Sequence, residues 1–182
     1  MSHVTVPKQV ITPLLVLLTL LITVSTYGQT PAAAPSRDRL LTTAREIIAS
    51  ARYAALITKG TNGRINARTM DPFPPAADMV IWFGTNPRSR KVLEIRRDPQ
   101  VTIYYVDPVA QAYVSIQGTA RLINSQQEKA RHWKEEWKAF YPDRDKNYLL
   151  IAVKPQRFEM ISVKEGLTGD PITWEPHSVT FR

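Results

Sequence analysis

The sequence predicts a mainly β domain, a barrel-like antiparallel sheet of about six strands with flanking helices. Short runs rich in Val, Ile and Tyr recur from Tyr53 onward, and turn residues such as Asn62-Gly63 separate them. Segments with helical spacing interrupt these runs at two or three places. No internal repeat divides the chain, so a single domain is expected.

Residues 1–28 have the composition of a secretory signal peptide. A single cation, Lys8, precedes an apolar run from Ile11 to Val24, and small residues suit cleavage before Gln29. The run is shorter than the roughly 20 residues of a membrane-spanning helix, and Pro13 interrupts it. We therefore expect an exported protein, periplasmic or secreted, without stable membrane insertion after signal cleavage. The alternative is a membrane tether formed by the uncleaved segment.

The rest of the chain divides into a linker of low complexity, residues 29–36, and a folded domain, residues 37–182. Removal of the signal peptide takes away one lysine, so the formal net charge falls from +8 to +7. A basic balance indicates nucleic acid, an anionic surface or an anionic ligand, and export argues against nucleic acid. The chain has no cysteine, which excludes disulfides, thiolate metal sites and cysteine nucleophiles.

An amphipathic helix opens the domain. Its apolar residues recur at helical spacing over residues 40–51, and Ser36 stands where an N-cap is expected. A β-hairpin follows, because two β-type runs flank Asn62-Gly63, a pair that suits the positive φ angles of a tight turn.

Strand alternation in the second half of the hairpin places Arg68 and Met70 on one face and Thr69 on the other. A third strand, "MVIWFGTN", leads into a helix that we predict from Pro87 to Arg97, with Asn86 as its cap. The runs "QVTIYYVD" and "AYVSIQGTARLIN" predict two more strands.

The segment "SQQEKARHWKEEWKAF" predicts a further helix, which opens with a capping-box pattern. Its aromatic stripe, formed by Trp133, Trp137 and Phe140, could stack bases or sugars, but the helical spacing favours core packing. After it, "YLLIAVKPQRFEMISV" reads as two strands that meet near Lys154-Pro155.

The turn before the second helix is rich in cations, with Arg88, Arg90 and Lys91 close together. A helix N-terminus exposes unpaired N–H groups and the positive end of the helix dipole, so basic residues there are electrostatically disfavoured. A negative group is therefore expected at this place. Thr85 and Ser89 add hydroxyl donors, and the strand-to-helix setting directs backbone N–H groups to one point.

Arg68 lies in a neighbouring strand and could reach the same point, so the whole feature predicts a phosphate clamp. The alternative is a solvated loop whose cations extend into water. Familiar catalytic motifs for hydrolases, nucleotide binding and zinc peptidases are absent. His132 and His177, the histidines after the signal peptide, give no support for a zinc site or a Ser-His-Asp triad, and we predict no metal site.

Four segments in a fixed order carry a resemblance to a known family. They are "LITKGTNGRINARTM", "VIWFGTNPRSRKVLEIRRDPQVTIYY", "YVSIQGTARLI" and, after the tryptophan segment, "YLLIAVKPQRFEM". Over about residues 37–163 the chain resembles the pyridoxamine 5'-phosphate oxidase superfamily, in particular its general stress protein branch.

The resemblance implies a six-stranded antiparallel split β-barrel of the FMN-binding type, assembled as a homodimer with FMN, or another flavin, at the subunit interface. The residues that match the strand beside the flavin ring are Arg68, Thr69 and Met70. Those that match the phosphate-holding segment are Gly84, Thr85, Ser89, Arg90 and Lys91. A tryptophan from the second subunit approaches the cofactor in this family, and Trp174 is the candidate here.

Three departures separate this chain from the true oxidase. Phe73 stands where the oxidase carries a lysine for the substrate phosphate, Tyr113 replaces a flavin-contacting glutamine, and the C-terminus lacks an arginine-rich substrate segment. Oxidation of pyridoxamine phosphate is therefore not expected. We expect a flavin-dependent oxidoreductase of unknown substrate with a role in stress. The alternative is a non-catalytic binder or scavenger of a flavin, haem or another planar anion.

Overall fold

A computed structural model describes residues 34–182 of the chain. Its helices are α1 (Arg37–Ala51), α2 (Arg90–Arg97), α3 (Gln126–Arg131) and α4 (Arg144–Asn147). Its strands are β1 (Ala54–Lys59), β2 (Ile65–Met70), β3 (Ile81–Thr85), β4 (Gln100–Asp107), β5 (Ala112–Ile123), β6 (Leu149–Ser162) and β7 (His177–Thr180). The predicted signal peptide and most of the predicted linker lie outside the described residues.

The strands form one antiparallel sheet in the order β2-β1-β4-β5-β6-β3, and β7 pairs with the second half of β6. An isolated bridge between Pro72 and Phe83 joins the two ends of this path, so the sheet returns on itself as a barrel does. The predicted fold class, a mainly β antiparallel barrel with flanking helices, is confirmed. The order departs from a meander because β1 lies beside β4, and β7 has no counterpart in the sequence prediction.

The main core lies between α1 and the inner face of the sheet. Ser36 accepts a hydrogen bond from the backbone N–H of Arg39 at 3.2 Å, so the predicted N-cap of α1 is confirmed. The apolar stripe of α1 contributes Leu40 and Ile47, which pack among fully buried strand residues such as Ile103. This packing holds α1 against β4, β5, β6 and β7.

The hairpin between β1 and β2 is confirmed, with a five-residue loop over residues 60–64. Gly63 has a positive φ of 79°, whereas Asn62 does not, so the turn differs from the two-residue type that the Asn-Gly pair suggests.

Helix α2 begins three residues later than predicted. Asn86 is not its cap but starts a turn, since its side-chain oxygen accepts from the N–H of Arg88 at 2.8 Å and its carbonyl accepts from the N–H of Ser89 at 3.0 Å. Ser89 is the N-cap residue, and the first helical residue is Arg90.

The predicted tryptophan helix is wrong beyond Arg131. His132 leaves the helical conformation with φ −108° and ψ 69°, and its carbonyl accepts the hydroxyl hydrogen of Tyr148 instead of a helical N–H. A single 3₁₀ turn, Glu135–Trp137, follows. Core packing therefore holds for Trp137, which is buried, but not for Phe140, whose surface is 74% exposed.

Strand β6 is continuous, although the sequence predicts two strands that meet at residues 154–155. A β-bulge absorbs the irregularity, because the partners of Gln117 and Gly118 on β6 are separated by Gln156. A Cβ at Gly118 would lie 2.5 Å from the carbonyl oxygen of Lys154, so glycine allows the strands to approach here.

Within residues 34–182, no helix is both long enough and apolar enough to cross a membrane.

Candidate functional site

A cavity of about 370 Å³ lies where the end of β2 meets the end of β3. Its volume falls within the roughly 300–1,000 Å³ of small-molecule sites. Residues from β2 and its end, from the β3–α2 turn and from the segment after α3 line it: Thr69, Met70, Asp71, Gly84, Thr85, Asn86, Lys91, Trp137, Phe140 and Tyr141. We call Thr85, Asn86 and Lys91 the polar wall, and Trp137, Phe140 and Tyr141 the aromatic wall.

The polar wall is organised by hydrogen bonds around the hydroxyl of Thr85. The Lys91 ammonium donates to Thr85 Oγ1 at 3.1 Å, and Ser89 Oγ lies 3.2 Å from the same atom. Burial and the nearby charge of Arg68 lower the pKa of Lys91. Among residues 34–182, no carboxylate forms an ion pair with this ammonium.

A buried carboxylate, Glu94 on α2, lies behind the polar wall and is 2% exposed. Its Oε2 accepts from Thr58 Oγ1 at 2.5 Å and from the Arg68 guanidinium at 2.8 Å. Its Oε1 accepts from Asn66 at 2.8 Å and pairs with Arg90 Nε at 3.2 Å. Burial alone would raise the pKa of Glu94, but these hydrogen bonds and positive charges outweigh it and hold the pKa below its ordinary value.

Glu94 thus supplies part of the negative charge that the cations at this helix start require. Arg68 is occupied, because its guanidinium also donates to Thr58 Oγ1 at 2.6 Å and to the Leu56 carbonyl at 3.1 Å. One carboxylate faces two arginines and Lys91, so an excess of positive charge remains beside the cavity.

Trp137 and Tyr141 of the aromatic wall belong to a second apolar cluster, which also contains Tyr148 and Leu150. Trp137 lies directly over Gly84, since a Cβ on that glycine would be 2.4 Å from Trp137 Cζ3 and 2.6 Å from Tyr148 Cε2. Asp71, at the end of β2, accepts the indole N–H of Trp137 at 3.1 Å. Glycine at position 84 is therefore required for the ring to approach the strand this closely.

The structure brings together five of the nine predicted site residues at the cavity, namely Thr69, Met70, Gly84, Thr85 and Lys91. The Ser89 hydroxyl forms a hydrogen bond with the Thr85 hydroxyl, whereas Arg68 and Arg90 form ion pairs with Glu94. Trp174 does not line the cavity within this single chain, and its surface is 82% exposed.

Glu94, Asp71 and the aromatic wall were not predicted from the sequence as parts of this cavity and its surroundings. The i, i+4 spacing of Arg90 and Glu94 was a usable signal, because such residues are neighbours on a helix. Asp71 had no comparable signal, since its partner Trp137 is 66 residues away in the chain. Within residues 34–182, no three His, Asp or Glu side chains gather into a metal-binding group.

Residues 41–167 match the family model described as pyridoxamine 5'-phosphate oxidase like. This match covers more than half of the chain and confirms the superfamily that the ordered segments indicate. No curated protein matches the chain.

Solved structures similar to this chain include a Clostridium acetobutylicum protein related to general stress protein 26 of B. subtilis. It has 18% identity and a TM-score of 0.66, over 80% of this chain and 96% of that one. A pyridoxamine 5'-phosphate oxidase-related, FMN-binding protein from Nostoc punctiforme has 19% identity and a TM-score of 0.60, over 83% and 98% of the two chains. A heme-binding protein from Mycobacterium smegmatis has 20% identity and a TM-score of 0.59, over 81% of this chain and 59% of that one. At these identities the similarity establishes the fold.

Proposed function

The chain belongs to the pyridoxamine 5'-phosphate oxidase-like family, and on that premise we propose that it binds FMN, or a closely related flavin, between the polar wall and the aromatic wall. The observation that carries the proposal is the position of Lys91. Lys91 lines the cavity, and its ammonium donates a hydrogen bond to the Thr85 hydroxyl. No carboxylate among residues 34–182 forms an ion pair with this ammonium. A phosphate at this place would supply the missing negative charge.

The chemistry of the donors fits a phosphate monoester. Lys91, Thr85 and Ser89 offer an ammonium and two hydroxyls between the end of β3 and the start of α2, and the excess positive charge around Glu94 favours a dianion. The aromatic wall offers apolar surface to a planar ring. The residues present therefore suit the two ends of FMN.

A bound flavin supplies hydride or electron transfer itself, while the protein supplies position and electrostatics. We extend the proposal to a flavin-dependent oxidoreductase of unknown substrate, with a stress-related role suggested by the general stress protein 26 relationship of the Clostridium neighbour. Oxidation of pyridoxamine phosphate is not proposed. Phe73, which replaces the substrate-binding lysine, has its ring packed edge-on against His132 and Trp137.

The proposal includes a homodimer, because the family resemblance puts the flavin at a subunit interface and Trp174 has no contact with the cavity of its own chain. Its exposed indole is available to approach the cavity of a second copy. Light scattering on protein lacking residues 1–28 is expected to give the mass of a dimer. A monomer at micromolar concentration would remove Trp174 from the site.

Export completes the proposal, on the composition of residues 1–28. Mature protein isolated from its native source should begin at or near Gln29. Recovery of intact Met1 in a membrane fraction would instead support the tethered form.

A second candidate function is non-catalytic binding of haem or another planar anion. The fold shared with the Mycobacterium smegmatis heme-binding protein favours it. The absorbance spectrum of protein purified from its native compartment tests both candidates, because flavin and haem have distinct visible bands. Flavin bands support the first proposal, and a Soret band without flavin would replace it with the second.

A further inference from the structure

The segment that departs most from the sequence prediction is also the one that forms the aromatic wall. Had α3 continued to Phe140, as its spacing predicts, Trp137 and Phe140 would lie on one helical face. Instead the chain leaves the helix at His132, buries Trp137 and projects Phe140 outward beside the cavity. Trp137 therefore forms the buried part of the aromatic wall, and Phe140 forms its exposed part.

Asp71 holds this segment against the barrel through both carboxylate oxygens. Its Oδ2 accepts the indole N–H of Trp137 at 3.1 Å, and its Oδ1 accepts the ammonium of Lys134 at 2.7 Å. Lys134 also donates to the carbonyl of Pro72 at 3.0 Å and lies 4.9 Å from the centre of the Trp137 ring. The lysine balances the negative charge of Asp71, which would otherwise stand at a cavity proposed for an anion.

Phe140 is tied to the same segment by its backbone N–H, which donates to the Trp137 carbonyl at 2.9 Å. Its side chain lines the cavity although its surface is 74% exposed. Ile172 is comparably exposed, at 86%, but does not line the cavity. The place of Phe140 at an aromatic cavity distinguishes it from other exposed apolar residues.

We infer that Phe140 contacts the planar ring of the bound ligand, and that Asp71 is the positioning residue that fixes the aromatic wall for this contact. The inference rests on the proposed function for the identity of the ligand. On this inference, the two ends of the ligand are bound independently. Lys91 on the polar wall binds the phosphate, and Phe140 on the aromatic wall contacts the ring.

Titration of FMN and of riboflavin, which lacks the phosphate, separates the two parts. Phe140→Ala is expected to weaken both ligands by the same factor, about threefold to tenfold, the contribution of one aromatic pair. Val109→Ala, at an exposed residue that does not line the cavity, is the matched control and should leave both affinities unchanged. Phe140 is exposed, so its replacement does not endanger folding.

Asp71 is tested by a conservative and a disruptive replacement. Asp71→Leu removes both acceptors and should weaken both ligands as Phe140→Ala does, and it should also change the visible circular dichroism of bound FMN. Asp71→Asn keeps an oxygen that can accept from Trp137, so it should restore the affinity and the spectrum.

The outcomes distinguish this inference from the proposed function. If the unsubstituted protein binds no FMN, both are overturned. If it binds FMN and Phe140→Ala binds both flavins equally well, the ring contact alone is overturned. Dissociation of a dimer by Phe140→Ala with unchanged affinity would likewise overturn the contact and place Phe140 at a subunit interface. An affinity that Asp71→Asn fails to restore would overturn the positioning role.

Discussion

One carboxylate lies close to each wall of the cavity, and the two carboxylates are held in different ways. Glu94 is 2% exposed and gathers two arginines from a strand and a helix. Asp71 is 30% exposed and joins a strand end to a segment that lacks regular helix. Beside the polar wall lies a buried ion pair between a strand and a helix, whereas the aromatic wall is held by a partly exposed carboxylate together with the packing of Trp137 against Tyr148.

The largest expected effect follows from removing the charge of Glu94. Glu94→Gln leaves Arg68 with its guanidinium facing a neutral amide, and breaking a buried pair costs roughly 3–5 kcal/mol. We expect a loss near the lower end, about 3 kcal/mol in the free energy of unfolding at neutral pH, because the amide keeps an acceptor. Urea denaturation measures it, and a loss below about 1 kcal/mol would show that the pair is not a structural element of the polar wall.

The same carboxylate gives a pH dependence of known sign. The folded state holds the pKa of Glu94 below its ordinary value, so it binds this proton less readily than the unfolded chain does. The stabilisation is therefore complete above the ordinary glutamate pKa, about 4.3, and is lost as the pH falls below it. Wild type should lose stability more steeply than Glu94→Gln in this acid range, and parallel curves would contradict the assignment.

A smaller effect is expected where the aromatic wall meets the barrel. Gly84→Ala places a Cβ 2.4 Å from Trp137 and 2.6 Å from Tyr148, so the rings must move. Overpacking of this kind costs roughly 1–3 kcal/mol. Thermal unfolding should reveal the cost, and both FMN and riboflavin should bind more weakly because the wall is displaced. Unchanged affinity for both ligands would mean that Trp137 has no influence on the ring site.

The smallest effect belongs to the main core, away from both walls. Tyr105 is fully buried, and its hydroxyl has no hydrogen-bond partner within residues 34–182. Burial also raises the pKa of Tyr105. Tyr105→Phe removes the unsatisfied group and should leave stability unchanged or raise it by about 1 kcal/mol, without an effect on ligand affinity. A clear loss of stability would show that the hydroxyl has a partner in solution.

The polar wall could be predicted from the sequence because its residues are neighbours in the chain. Thr85 ends β3, Asn86 follows it and Lys91 lies in the first turn of α2, so the short connection between the two elements determines their proximity. The hairpin and α1 were predictable for the same reason, since periodicity reports which face of an element is buried.

The aromatic wall could not be predicted in this way. The spacing of its residues favours a continuous helix. However, the Tyr148 hydroxyl donates to the His132 carbonyl and the Trp137 indole donates to Asp71, so tertiary contacts override the local preference. Arg68 was also predictable only in part. Strand alternation gives the face of β2 on which it lies, but not the ion pair between its guanidinium and Glu94.

The central claim, that Lys91 holds the phosphate of a bound flavin, is tested most directly by titrating FMN and riboflavin into wild type, Lys91→Ala and Arg90→Ala. A hydrogen bond to a charged group contributes roughly 1.5–3 kcal/mol, so Lys91→Ala should lower FMN affinity at least about tenfold and leave riboflavin affinity unchanged. The matched control is Arg90, whose side chain is 70% exposed and forms an ion pair with Glu94. Arg90→Ala should lower FMN affinity less than Lys91→Ala does. Equal FMN affinity in wild type and Lys91→Ala would contradict the account.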